Sequence, residues 1–256
     1  MVVHLLGALS ISAWGTPVGN GLRSRASALL AWYLVHPEGA TPEAAVDALW
    51  PKTRADQVQR QFWRALGDLR SRLRGPSGER VDVLEKVGDR YRPAPDEVGC
   101  DLWDFQAALD DAARAPDDGA ATEALWRAVT CYNGDLLQSS DYLWVEPVRH
   151  DLRRRAVDAH FRLADLERGG RRPERAIAVL ERALDIDRHA EEPYRRLMAI
   201  YAEQGRLDAV TGTWRLLGGR LAEVDLEIEG TTIDLYRSLT GGPGQPDRRQ
   251  GRMGAP

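Results

Sequence analysis

Arg60, Arg64, Arg70 and Arg72 recur within one short stretch, RADQVQRQFWRALGDLRSRLR, from Arg54 to Arg74. Guanidinium groups pair with phosphates and carboxylates, so a partner for this stretch would carry negative charge. Phe62, Leu66, Leu69 and Leu73 recur at helical spacing and form one apolar seam, while Arg60, Arg64, Asp68 and Ser71 fall on the opposite side. The spacing predicts a helix buried along one face and offering the other to an anionic partner. A merely solvated outer face is the other reading of the same pattern.

No stretch carries the marks of catalysis. The sequence lacks GxSxG, Walker, dinucleotide and zinc patterns, and its carboxylates are spread along helical surfaces without a paired, apolar setting. Gly218-Gly219 has neither the strand before it nor the lysine after it that a phosphate loop needs. His4, His36, His150, His160 and His189 lack ligand spacing. Neither an enzyme nor a resident metal or cofactor is expected. Cys100 and Cys131 are too few for a disulfide framework and are expected as reduced, partly buried thiols.

A chain of 256 residues suffices for one large or two ordinary domains, and two are expected. No run of eighteen apolar residues exists to cross a bilayer, and MVVHLLGALSI reads as a strand and not as a leader, which predicts a cytoplasmic protein with no membrane partner. Charge is divided unevenly. Residues 1 to 95 hold 13 Lys and Arg against 9 Asp and Glu, a net of +4; residues 96 to 240 hold 19 against 29, a net of −10. Any contact with nucleic acid is therefore expected from the first domain, and the acidic second one should bind something else.

Two or three short strands are predicted between Val2 and Val18, then a helix from about Arg23 that stops at His36-Pro37-Glu38-Gly39. Thr41-Pro42-Glu43 supplies an N-cap, a first-turn proline and a first-turn acid for a short helix ending at Trp50-Pro51. The arginine-bearing helix follows and breaks at Gly75-Pro76-Ser77-Gly78. Val81 to Val87, a turn at Gly88-Asp89 and a return through Arg90-Tyr91-Arg92 predict a β-hairpin. Two helices joined by a short turn, with a hairpin behind the second, make a winged helix-turn-helix over residues 1–95.

From Asp101 the pattern is helical: Asp101 to Ala113, Ala121 to Tyr132, Trp144 to Arg168, Pro173 to Asp187, Glu191 to Gln204, Leu207 to Val224 and Thr232 to Leu239, with no strand expected anywhere over 96–240. Ala176-Ile177 and Ala209-Val210 repeat with a period of about 33 residues, close to tetratricopeptide units. That predicts a helical-pair solenoid over 96–240, with a plain helical bundle as the competing architecture. Gly241 to Pro256 carries no apolar periodicity and is expected to be disordered. The fold class is mainly α with a small β component.

ASALLAWYLVHPEGATPEAAVDALWP, FWRALGDLRSRLR and VGDRYRPAP resemble the OmpR-type winged helix of the SARP family, the actinobacterial antibiotic regulatory proteins. CDLWDFQAAL, CYNGDLL, WVEPVRHDLRRRA, EEPYRRLMAIYAEQGRLDAV and EIEGTTIDLYRSL resemble the bacterial transcriptional activator domain that follows it in those proteins. The resemblance covers about 240 of the 256 residues and departs from the family by lacking its usual proline near Gly230. It implies a transcriptional activator that binds double-stranded DNA at direct repeats, pairs with a second copy at least on DNA, and engages RNA polymerase.

On the same resemblance, Gln61, Arg64 and Asp68 face base edges, Arg60, Arg70 and Arg72 are placed for phosphates, and Arg90 and Arg92 are wing contacts. Arg23 and Arg25 either meet phosphate or belong to a solvated helix start. Trp63 is placed to pack against the wing or the second domain rather than to stack on a base. Gly67 lies inside the helix, where glycine costs about 0.5 to 1 kcal/mol relative to alanine. Asp68 stands where the family often has a basic residue; it accepts from a cytosine amino group, pairs with Arg64 or Arg72, or marks a helix that no longer binds DNA. The last possibility makes a protein-interaction scaffold with a degenerate winged helix the alternative function.

Overall fold

The computed structural model describes residues 1–13, 15–17, 24–73 and 81–241. Arg23, Arg74, the Gly75-Pro76-Ser77-Gly78 break and the tail beyond Gly241 lie outside the described residues. The chain divides into two compact units, Met1–Ala159 and His160–Pro256.

In the first unit, β1 (Val2–His4), β2 (Ser10–Ala13) and β3 (Thr16–Pro17) form an antiparallel run, with Val3 opposite Ile11 and both buried. Helix α1 (Ser24–Val35) is almost wholly buried through Leu34, which is why its sequence is apolar on more than one face. Helix α2 (Pro42–Leu49) begins as its cap predicts: Ala44 N–H donates to Thr41 Oγ1 at 3.3 Å, satisfying one of the orphan amides of the first turn. A 3-10 turn at Ala55–Gln57 leads into α3 (Val58–Arg72), whose apolar seam, Phe62, Leu66, Leu69 and Leu73, is buried against α1 and α2. The hairpin is β4 (Leu84–Val87) with β5 (Arg90–Pro93), closed by Gly88 at φ +65°.

The turn after α1 is stitched to this hairpin. Ala40 and Tyr91 exchange backbone hydrogen bonds of 2.9 and 2.8 Å, which brings Gly39 against β5. Gly39 sits at φ +79°, and a Cβ there would lie 2.7 Å from Tyr91 O and 2.9 Å from Arg92 Cβ. Gly39→Ala is therefore expected to cost about 2 kcal/mol or more, from the left-handed backbone and the overlap together. Urea denaturation checks it, and a midpoint equal to that of the parent chain would refute it.

One strand falls where none was expected. Gly99–Cys100 form β6, which pairs parallel with β1 (Val2 opposite Gly99, Val3 opposite Cys100), so the sheet order is β3-β2-β1-β6. Two residues are too few to show a period of two, so no sequence pattern marked them. Helix α4 (Asp101–Arg114) starts directly after, and its first residue is nearly buried at 6 % exposure. Asp101 Oδ1 accepts from Leu5 N–H at 2.7 Å and Oδ2 from Leu6 N–H at 3.2 Å, extending the tie to β1 beyond the sheet.

Helix α5 (Asp118–Cys131) packs on α4, with Phe105 and Tyr132 ring centroids 5.6 Å apart. The segment after it returns to the N-terminus: Leu137 N–H donates to Leu5 O at 2.8 Å and Gln138 N–H to Gly7 O at 3.0 Å. Arg149, near the start of α6 (Val145–Gly169), donates to the carbonyls of Leu136, Leu137 and Ser140, and Arg153 forms a two-pronged pair with Asp135.

Burial pushes the Cys100 thiol up to about 12 and raises the Tyr33 and Tyr132 hydroxyls above their ordinary value. Between roughly pH 8.5 and 12 the unfolded chain loses the Cys100 proton while the folded chain keeps it. Stability should therefore fall as pH rises through that window, with the tyrosines adding to the loss at its upper end. Cys100 is buried and its thiol is held protonated at pH 8, so iodoacetamide should reach it only on unfolding. Alkylation of the native protein at Cys100 within minutes would contradict this.

The second unit is helical among its described residues. It contains the end of α6, then α7 (Pro173–Ile186), α8 (Glu191–Glu203), α9 (Leu207–Ala222) and α10 (Gly230–Thr240). Tyr194, Leu217 and Leu221 form a buried cluster joined by Leu184 and Ile228. From α7 onward successive helices pack together, and α10 also packs on α8, as expected for stacked helical pairs. The turns before α7 and α9 repeat each other: Arg171 at φ +58° and Gly205 at φ +73°, 34 positions apart, are each left-handed. The repeat seen in the side chains is thus also a repeat of the backbone.

Candidate nucleic-acid interface

The seam of α3 decides which side chains face outward. At about 3.6 residues per turn, burying Phe62, Leu66, Leu69 and Leu73 leaves Arg60, Arg64, Gly67 and Ser71 in line along the far side. All four are exposed, and Asp68 and Gln61 flank them, half-buried. Arg60, Arg64 and Arg72 make no ion pair among the described residues. Ser71 Oγ donates to the Asp68 carbonyl at 2.8 Å. A Cβ at Gly67 would meet nothing within 4 Å, so the protein itself does not require glycine there. The bare backbone at Gly67 leaves α3 open to close approach along its exposed ridge.

Arg70 departs from the other arginines. It sits on the flank of α3 that carries Trp63, and its Nε lies 2.7 Å from Asp82 Oδ1, ahead of the hairpin. Trp63 is 46 % exposed and packs edge-on to Tyr91 of β5, with ring centroids 6.0 Å apart, and to Phe62 at 5.5 Å. The hairpin is thereby braced against α3 by an aromatic contact, and it stands beside the exposed ridge in the position of a wing.

The wing arginines are engaged but accessible. Arg90 Nη1 donates to Gly39 O at 3.0 Å, and Arg92 Nε lies 2.6 Å from Glu85 Oε1 across the hairpin. Both members of the second pair are about half exposed, so it contributes about 0 to 1 kcal/mol and can be exchanged for a phosphate at little cost. Lys86 is a further exposed cation on β4, absent from the sequence-based set. Its place two residues before the Gly88 turn was the signal that could have found it.

Gln61 is held from outside its own helix, since Arg25 Nη1 donates to Gln61 Oε1 at 3.2 Å. The structure thus brings Arg60, Gln61, Arg64, Asp68 and Arg72 to one ridge, puts Arg70 toward the hairpin base, and sets Arg90 and Arg92 on the hairpin. Among the described residues no group of three or more His, Cys, Asp or Glu side chains is placed to hold a metal ion, and no helix is long and apolar enough to cross a membrane.

The chain is similar to known proteins over most of its length. The family model described as bacterial transcriptional activator domain matches residues 100–240. The transcriptional regulatory protein EmbR of Mycobacterium bovis is 28% identical over 235 residues, covering 90% of this chain and 60% of EmbR. Transcriptional regulatory protein MoaR1 of Mycobacterium tuberculosis is 24% identical over 247 residues, covering 92% of this chain and 78% of MoaR1. The solved structure of Mycobacterium tuberculosis EmbR in complex with a low affinity phosphopeptide superposes with a TM-score of 0.69 at 25% identity, over 95% of this chain and 66% of that one. The chain therefore spans about three-fifths of the length of EmbR. The matched model covers more than half of the sequence, and the chain belongs to the bacterial transcriptional activator domain family, in its SARP-type form.

Proposed function

We propose that this chain is a DNA-binding transcriptional activator that lays α3 in the major groove of promoter repeats, as a side-by-side pair of copies, and engages RNA polymerase. The observation that carries the reading is the exposed ridge of α3, where Arg60, Arg64 and Arg72 stand without ion pairs among the described residues, beside a braced hairpin. The names of EmbR and MoaR1 as transcriptional regulatory proteins support it. In this reading residues 1–95 bind DNA, and the acidic helical segment 96–240 serves protein partners. Gln61, Arg64 and Asp68 read base edges; Arg60, Arg70 and Arg72 meet phosphates, Arg70 by exchanging Asp82 for one; Arg90 and Arg92 contact the backbone beside the groove.

Fluorescence anisotropy on the DNA upstream of the chain's own coding region tests the proposal. A pair of copies making 6 to 10 phosphate contacts should lose roughly a thousandfold or more in affinity between 50 and 200 mM salt, through counterion release. Absence of binding at the lower salt would overturn the reading in favour of a helical-repeat scaffold whose winged helix no longer binds DNA.

A further inference from the structure

Arg25 lies in the first turn of α1, yet it touches the other two helices of the winged unit. Its guanidinium carbon sits 5.8 Å from the ring centroid of Trp50, which ends α2, and its Nη1 donates to Gln61 Oε1 on α3 at 3.2 Å. Arg25 and Gln61 are 36 residues apart, and no periodicity connects them.

A guanidinium carries donors and no acceptor, so the Gln61 atom that faces it must be the amide oxygen. The Gln61 Nε2 group makes no hydrogen bond among the described residues and keeps both its N–H donors. Unrestrained glutamine reads adenine with both arms of its amide, the oxygen accepting from N6 and the nitrogen donating to N7. With one lone pair of the oxygen engaged by Arg25 and the amide plane fixed by that bond, the donating arm is the one left free for the groove. Guanine offers two acceptors there, N7 and O6, whereas adenine would bring an amino group with nothing to receive it.

We propose that Arg25 is a positioning residue that makes Gln61 a donor-only reader, so that the base opposite Gln61 is guanine and not adenine. The inference rests on the DNA-reading function proposed above. It does not require Arg25 to touch DNA.

Selection of binding sites from a random duplex library, with the full chain and its Gln61→Ala and Arg25→Met variants, tests it. Gln61→Ala should erase the preference at one base pair and so locate it, and the parent chain should select guanine there. Arg25→Met keeps an apolar stem over Trp50 but removes the donors; adenine should gain about tenfold over guanine at that pair, with the rest of the site unchanged. Loss of a phosphate contact would instead weaken all sequences alike and leave the base ratio where it was. An unchanged ratio in Arg25→Met, adenine at that pair in the parent chain, or no preference erased by Gln61→Ala would each overturn the inference. The two parent-chain and Gln61→Ala readouts hold even if Arg25→Met does not fold. Failure of the parent chain to select any sequence would overturn the DNA-reading function itself, before any variant is compared.

Discussion

Arg64→Ala is expected to weaken binding to the selected DNA site by about 1 to 3 kcal/mol, roughly five- to 150-fold, while leaving affinity for scrambled DNA nearly as it was. Arg64 sits at the centre of the exposed ridge of α3, one turn beyond Arg60 and one turn before Asp68, with no ion pair among the described residues to retain it on the protein. A guanidinium so placed can offer two parallel donors to the N7 and O6 of one guanine. Removing it leaves those acceptors unpaired in a closed interface, which is where the specific loss arises. Arg60→Ala is the comparison, since a phosphate contact should weaken cognate and scrambled DNA together and reduce the salt slope by about one. The side chain is solvated in the free protein, so melting should be unaffected in both variants. Equal affinity of Arg64→Ala and the parent chain on the cognate site would exclude a base-reading role.

Asp101→Ala is expected to destabilise the first unit by about 3 to 6 kcal/mol, because the carboxylate accepts two buried backbone donors, Leu5 N–H and Leu6 N–H, and each such charged hydrogen bond contributes about 1.5 to 3 kcal/mol. Alanine would leave both amides without a partner where β1 passes the start of α4. The melting midpoint should drop by roughly 10 °C. Asp101→Asn retains one acceptor oxygen and should fall between the two. His4 lies 3.5 Å from Asp101 but is half exposed, so His4→Ala should change little. Thermal melts followed by circular dichroism discriminate these outcomes, and a drop of less than 2 °C for Asp101→Ala would show that the amides find other partners.

The helices were legible because their signals lie within a few residues of one another. Thr41-Pro42-Glu43 marked the start of α2, and Thr41 does cap it; the spacing of Phe62, Leu66, Leu69 and Leu73 named the buried seam of α3. Trp63 could be assigned to packing from its place beside that seam, and it does pack on Tyr91. The arginines were harder. Sequence grouped Arg70 with Arg60 and Arg72, although the helical period puts it on the Trp63 flank, and its partner Asp82 depends on where the chain returns after α3.

Periodicity, caps and turn residues state which face of each element is buried and where each element ends, since those are local properties of a helix or a strand. They therefore determined the helix order, the winged pattern, the repeat and the exposed ridge of α3. What buries each face is a matter of chain closure over long separations, which carries no local signal. Folding alone decided that Gly99–Cys100 would lie parallel to β1, that Asp101 would hold Leu5 and Leu6, that Gly39 would press against Tyr91, and that Arg25 would reach Gln61.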